Sequence, residues 1–114
     1  METVLIVDDN EDLQFNLSSI VQNEGYNVLT AGDGTKALKL AKSSSPELVL
    51  LDMRLPGMDG MKVLEEIKKF DKNIIVIMLT AFGDVKGAVN AMRLGAFDYL
   101  TKPYTEQLYC DGGG

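Results

Sequence analysis

Histidine is absent from the 114 residues, and cysteine occurs once, at Cys110. Without an imidazole the chain has neither the commonest general base nor the commonest transition-metal ligand. Serine–histidine and cysteine–histidine hydrolase chemistry is thereby excluded. A lone cysteine closes no intramolecular disulfide and builds no thiolate zinc cluster, which fits a reducing cytoplasm. Long hydrophobic runs are missing too. The apolar stretches fall far short of the roughly 20 residues of a membrane-spanning helix, so no membrane association is expected. The opening Met1-Glu2-Thr3 is acidic and leads straight into strand-like residues, so no export signal is expected. Positive charge is scarce: 11 lysines and arginines face 17 aspartates and glutamates, for a formal net charge of -6. Such a surface repels phosphate backbones, and direct nucleic-acid binding is not expected.

What is there is an ordinary balance of 46% hydrophobic and 25% charged residues, enough for one domain with a real core. That domain is assigned to residues 1–109, and 110–114, which closes in three glycines, is expected to be an unstructured tail. Short apolar runs alternate with helical stripes. Thr3–Val7, Asn27–Ala31, Leu48–Leu51, Ile74–Leu79 and Asp98–Thr101 read as strands. Leu13, Leu17, Ile20 and Val21 recur at helical spacing and stop at Gly25. Ala37, Leu38 and Ala41 follow the Asp33-Gly34 turn. Met61, Leu64 and Ile67 mark one side of a third helix, and Val85, Ala88, Val89 and Met92 mark a fourth, stopped by Gly95. Leu55–Gly60 holds Pro56, Gly57 and Gly60 and reads as a loop, and Tyr104–Tyr109 begins a last helix. About five βα repeats with continuous apolar strands predict an α/β fold. It is a doubly wound, five-stranded parallel sheet covered on both faces by helices.

Ligands of such sheets bind beyond the carboxyl ends of the strands. The first strand ends in Asp8-Asp9, the third in Asp52, the fourth in Thr80-Ala81 and the fifth in Lys102-Pro103. Three carboxylates, a hydroxyl and an ammonium therefore converge on one rim. The second strand adds no comparable group, which centres the site between the first and third strands. Carboxylates held a few ångströms apart repel one another, and a bound divalent cation relieves the repulsion. Oxygen ligands without histidine or thiolate suit Mg²⁺ or Mn²⁺, and such an ion also neutralises an incoming phosphoryl group. Lys102 supplies a point charge for one phosphate oxygen, and Thr80 a hydroxyl hydrogen bond to another. Each residue also has a plainer reading. Asp8 and Asp9 can cap the following helix, although Asn10 suffices for that. Asp52 can be a turn residue, Thr80 can satisfy a local backbone group, and Lys102 can be solvated. Tyr99 can pack in an edge strand with its hydroxyl wet.

Taken together, Val4-Leu5-Ile6-Val7-Asp8-Asp9, Leu50-Leu51-Asp52-Met53-Arg54-Leu55-Pro56-Gly57-Met58-Asp59-Gly60, Thr80-Ala81 and Lys102-Pro103 resemble the receiver domain of two-component response regulators. The resemblance covers residues 2 to about 109. It implies a flavodoxin-like strand order of 2-1-3-4-5. It implies Asp52 as a nucleophile that becomes an aspartyl phosphate, and Mg²⁺ held by Asp8, Asp9, Asp52 and the backbone carbonyl of Arg54. Lys102 would pair with the phosphoryl group, Thr80 would move toward it, and Tyr99 would rotate inward behind. The implied donor is a phosphohistidine on a sensor histidine kinase. The implied output is a change in the face made by the fourth helix and fifth strand, read by a homodimer partner or an attached effector domain. Gly83 and Gly87 are expected to loosen that face, since glycine inside a helix costs about 1 kcal/mol relative to alanine. Receivers usually extend the last helix over several turns. Here Tyr104 and Leu108 are followed by Asp111-Gly112-Gly113-Gly114, so a truncated last helix is expected. Apolar surface on the first helix and fifth strand would then be left bare.

Three other functions compete. A haloacid-dehalogenase-like phosphatase needs a second acid two positions after the nucleophile, where this chain has Arg54. A flavodoxin-like cofactor carrier needs a glycine- and hydroxyl-rich phosphate loop after the first strand, where Asp8-Asp9-Asn10-Glu11 stands. A pseudo-receiver acting only as an interaction or dimerisation module usually lacks one of the acids or the lysine, and none is missing here.

Overall fold

The computed structural model describes residues 2–55, 57–80 and 84–101. Among them the elements run β1 (Thr3–Val7), α1 (Glu11–Asn23), β2 (Asn27–Ala31), α2 (Gly34–Ser44), β3 (Leu48–Asp52), β4 (Arg54–Leu55), β5 (Met58–Asp59), α3 (Gly60–Phe70), β6 (Ile75–Thr80), α4 (Val85–Arg93) and β7 (Asp98–Thr101). Five strands form one parallel sheet in the order β2-β1-β3-β6-β7. With the two-residue strands β4 and β5 set aside, this is the expected order 2-1-3-4-5.

β3 and β6 each run one residue further than expected, to Asp52 and Thr80, and two other boundaries depart from expectation. The fourth long strand, β6, starts at Ile75, because the Ile74 amide is taken by the Asp71 carbonyl in the turn after α3 (3.2 Å). The stretch read as a loop after Asp52 is partly paired: Arg54–Leu55 runs antiparallel to Met58–Asp59 around Gly57, whose φ is +78°, and Gly60 already opens α3.

Side chains alternate across the central strands, so each strand serves two cores. Leu5, Val7, Val49, Leu51, Val76 and Met78 pack with Ala37 and Ala41 of α2, Val63, Leu64 and Ile67 of α3, and Ala91 of α4. Val4, Ile6, Leu50 and Leu79 face the other way, with Leu17 and Val21 of α1 against them. Each helix starts from a side-chain cap. Asn10 accepts from the Leu13 amide (3.1 Å), Asp33 from Lys36 (2.8 Å), Asp59 from Met61 (3.0 Å) and Asp84 from Gly87 (3.1 Å). Every helix follows a strand of the parallel sheet or its hairpin extension, so all four capped ends lie at the carboxyl rim.

Apolar spacing locates α1 with the side that packs, Leu13, Leu17 and Val21, and locates α4 but not its packed side. Ile20 of α1 is exposed, and on α4 the buried residues are Ala88 and Ala91. Val85, Val89 and Met92 are 68%, 45% and 42% exposed. A Cβ at Gly87 would overlap the Met53 Cε atom and come within 2.6 Å of the Asp84 carboxylate. Gly87 thus lies close against the Met53 methyl end and the Asp84 cap. The four residues of β7 are exposed, as is Phe15 of α1. Gly83, Lys102, the last helix expected over Tyr104–Tyr109 and the tail 110–114 lie outside the described residues. Among the described residues no helix is long and apolar enough to cross a membrane.

Candidate functional site

β1 and β3 lie side by side with Val7 opposite Leu51, so the next residues, Asp8 and Asp52, stand adjacent at the carboxyl rim. Asp8 is fully buried, Asp52 is 5% exposed and Asp9 is exposed. One carboxylate oxygen from each of the three lies within 4.8 Å of the others. Asp8 is held on both sides: its amide donates to the Ala31 carbonyl (3.0 Å), and its Oδ1 accepts from the Asn10 amide (2.9 Å). The helix cap is Asn10 itself, so neither acid is spent on capping. Their presence at a buried strand end needs another cause.

The backbone around Asp52 is equally constrained. Its Oδ1 accepts from the Arg54 amide (3.1 Å), which sets the rotation of the carboxylate. The Met53 amide donates to the Leu79 carbonyl (3.1 Å), and the Gly60 amide to the Met53 carbonyl (3.0 Å). The β4–β5 hairpin thus folds Gly60 back onto the Asp52–Met53 peptide. A Cβ there would overlap the Asp52 carbonyl oxygen and lie 2.7 Å from the Met53 Cα atom. Only glycine permits so close a backbone approach.

Thr80 is buried at the end of β6, one residue beyond Leu79, which stands opposite Asp52. Its hydroxyl donates to the Leu100 carbonyl of β7 (3.4 Å), so in this conformation it serves a neighbouring strand. Tyr99 lies on β7 opposite Met78 and is 44% exposed. The Arg54 side chain is exposed beside Asp52, while its backbone is engaged with it. Lys102 follows Thr101, the residue opposite Thr80, and lies outside the described residues. The fold therefore brings together Asp8, Asp9, Asp52 and the Arg54 backbone, and sets Thr80 on the adjoining strand end.

The donor set is oxygen throughout, with two carboxylates buried and one open to solvent. That chemistry fits a small hard cation such as Mg²⁺, which binds through one or two carboxylates and keeps several waters. Two residues matter here in ways the sequence alone did not show. Gly60 reads as a loop-former but sits against the Asp52 backbone. Gln14 on α1 donates from Nε2 to the Asp8 backbone carbonyl and to the Ala31 carbonyl (3.0 Å). The available signal was a polar residue next to Leu13 on the apolar side of a helix.

The chain matches the family described as the response regulator receiver domain over residues 4–111. It is 40% identical over 103 residues to sporulation initiation phosphotransferase F of Bacillus subtilis (strain 168), covering 90% of this chain and 83% of that protein. It is 43% identical over 104 residues to a probable transcriptional regulator ycf27 of Guillardia theta, covering 91% of this chain but 41% of that one. Its fold superposes on the crystal structure of a response regulator receiver domain protein from Clostridium thermocellum with a TM-score of 0.85. That pair is 38% identical and covers 94% of this chain and 86% of the other.

Proposed function

Because the chain belongs to the response regulator receiver domain family, a regulatory phosphoacceptor family of two-component systems, we propose that it takes a phosphoryl group from a sensor histidine kinase onto Asp52. The observation that carries this reading is the convergence of the Asp8, Asp9 and Asp52 carboxylates within 4.8 Å around a barely exposed Asp52. In the reaction an Asp52 carboxylate oxygen attacks the phosphorus of a phosphohistidine. The phosphorus–nitrogen bond breaks, its electron pair stays on the imidazole, and an aspartyl phosphate remains. Mg²⁺, when held by Asp8, Asp9, Asp52 and the Arg54 carbonyl, supplies positive charge to the carboxylates and phosphoryl oxygens. The Arg54 amide fixes the carboxylate that attacks. Lys102 pairs with a phosphoryl oxygen.

The new group carries roughly -1.5 to -2 charges where the carboxylate carried one, a net gain of about -0.5 to -1 at the rim. It can shift an equilibrium only through contacts that differ between two states. Thr80 supplies one such difference by leaving the Leu100 carbonyl and donating to the phosphoryl group. That frees the β7 backbone, and Tyr99 rotates inward behind it. The readout is the α4–β7 face, where Val85, Val89, Met92, Tyr99 and Leu100 already show apolar surface. A second copy or an effector domain would read that face, residues 1–109 would form the whole receiver with 110–114 as a tail, and the site of action would be the cytoplasm. Nucleic acid would be contacted only through such an effector.

The test is labelling with acetyl phosphate, followed by intact mass. One phosphoryl mass is gained in Mg²⁺ and none in excess chelator, and Asp52→Asn abolishes the gain. Labelling that persists in Asp52→Asn, or without metal, refutes the assignment.

A further inference from the structure

We propose that Gln14 is a positioning residue for the metal site, acting through the Asp8 backbone on the aim of the Asp9 carboxylate. The inference rests on the reading of the acidic cluster given above. The β1–β2 ladder ends where the Asp8 amide meets the Ala31 carbonyl (3.0 Å). The Asp8 carbonyl, one step further, has no strand to answer it, and a buried carbonyl needs a donor. Gln14 supplies that donor from α1, and the same Nε2 also reaches the Ala31 carbonyl (3.0 Å). One amide thus grips the ends of both strands.

The consequence falls on Asp9. The Asp8 carbonyl and the Asp9 amide belong to one rigid peptide plane. Holding the carbonyl holds the plane, and the plane sets the direction in which the Asp9 side chain leaves the backbone. The Asp8 carboxylate has its own restraint in the Asn10 amide. Asp9 takes part in no hydrogen bond or ion pair among the described residues, so its placement depends on its backbone. A glutamine beside Leu13, on the packed side of the helix, is also costly to keep unless its amide is bonded. Here it is bonded to the strand end that carries the acids.

The experiment measures Mg²⁺ binding by calorimetric titration of the full chain without phosphodonor, with thermal melts in chelator alongside. The proteins are the wild type, Gln14→Met, Asp9→Ala and the double variant. Methionine keeps the length of glutamine and removes the donor. Gln14→Met is expected to weaken Mg²⁺ binding about tenfold, the low end for groups that orient a metal ligand without touching the metal. In the Asp9→Ala background the same substitution is expected to have almost no effect. Equal affinity of Gln14→Met and wild type overturns the proposal, and so does an equal loss in both backgrounds, which marks a purely structural role. Should Gln14→Met fail to fold, the wild type still decides. Its Gln14 side-chain amide resonances are expected to shift and exchange more slowly as Mg²⁺ is added, and unmoved resonances overturn the proposal. A wild type that binds no Mg²⁺ sinks the functional reading itself; a wild type that binds, with Gln14→Met unaffected, sinks only this inference.

Discussion

α3 and α4 pack on the same face of the sheet, and they are anchored in opposite ways. α3 buries Val63, Leu64 and Ile67 completely, whereas α4 buries Ala88 and Ala91 and leaves Val85, Val89 and Met92 in solvent. Fully burying a large aliphatic side chain is worth about 1.5–3 kcal/mol, and an alanine methyl far less. α3 is therefore fixed by its own side chains. α4 is held by the small side chains of Ala88 and Ala91, its Asp84 cap and the contact of Gly87 with Met53. Elements with little buried apolar area open at lower free energy than the global transition. On that ground α4, packed against β6, is expected to open more readily than α3, packed against β3.

Leu64→Ala should do the most damage, a loss of about 2–5 kcal/mol in urea unfolding, since it empties a core position of α3. A loss no greater than that of Val89→Ala would break the contrast. Gly87→Ala comes next. The gain in helix propensity, about 1 kcal/mol, is set against crowding of the Asp84 cap and of the Met53 methyl end, which can swing aside. The expected net is within about 1 kcal/mol of zero and more favourable in a Met53→Ala background. A double-mutant cycle by denaturant titration measures it, and additivity of the two changes would show that the contact carries no coupling. In native-state hydrogen exchange, the α4 amides should lose protection before those of α3. Smallest of all, Val89→Lys should change stability by no more than about 0.5 kcal/mol, because the position is largely solvated. If the α4–β7 face is the readout, the same change should still weaken self-association of the phosphorylated chain in sedimentation.

Much of this was readable from residues. Short apolar runs marked the sheet because strands buried on both faces leave little room for polar side chains. Asp8, Asp9 and Asp52 stood out because acids at the ends of such strands have no simpler use once Asn10 caps α1. The facing of α4 was not readable. Spacing identifies a stripe, but which of its sides meets the sheet depends on residues far away in the chain, such as Met53, which lies against Gly87 more than thirty positions on. The β4–β5 pair is two residues long on each side, too short for alternation to register. Gly60 carried a signal of the wrong kind: glycine after Asp59 suggests a turn, and nothing local reveals the peptide pressed against it.

That pressed peptide governs which way the molecule can give. The Asp52–Met53 linkage has the Gly60 backbone directly behind it, with no side-chain cushion to compress. A load placed on the aspartate meets a stop on the α3 side, and the Met53 side chain faces α4 at Gly87. If Asp52 takes the phosphoryl group as proposed, its stiff side is the one toward α3, where backbone meets backbone, and its yielding side is the one toward α4, where a flexible methionine stands between.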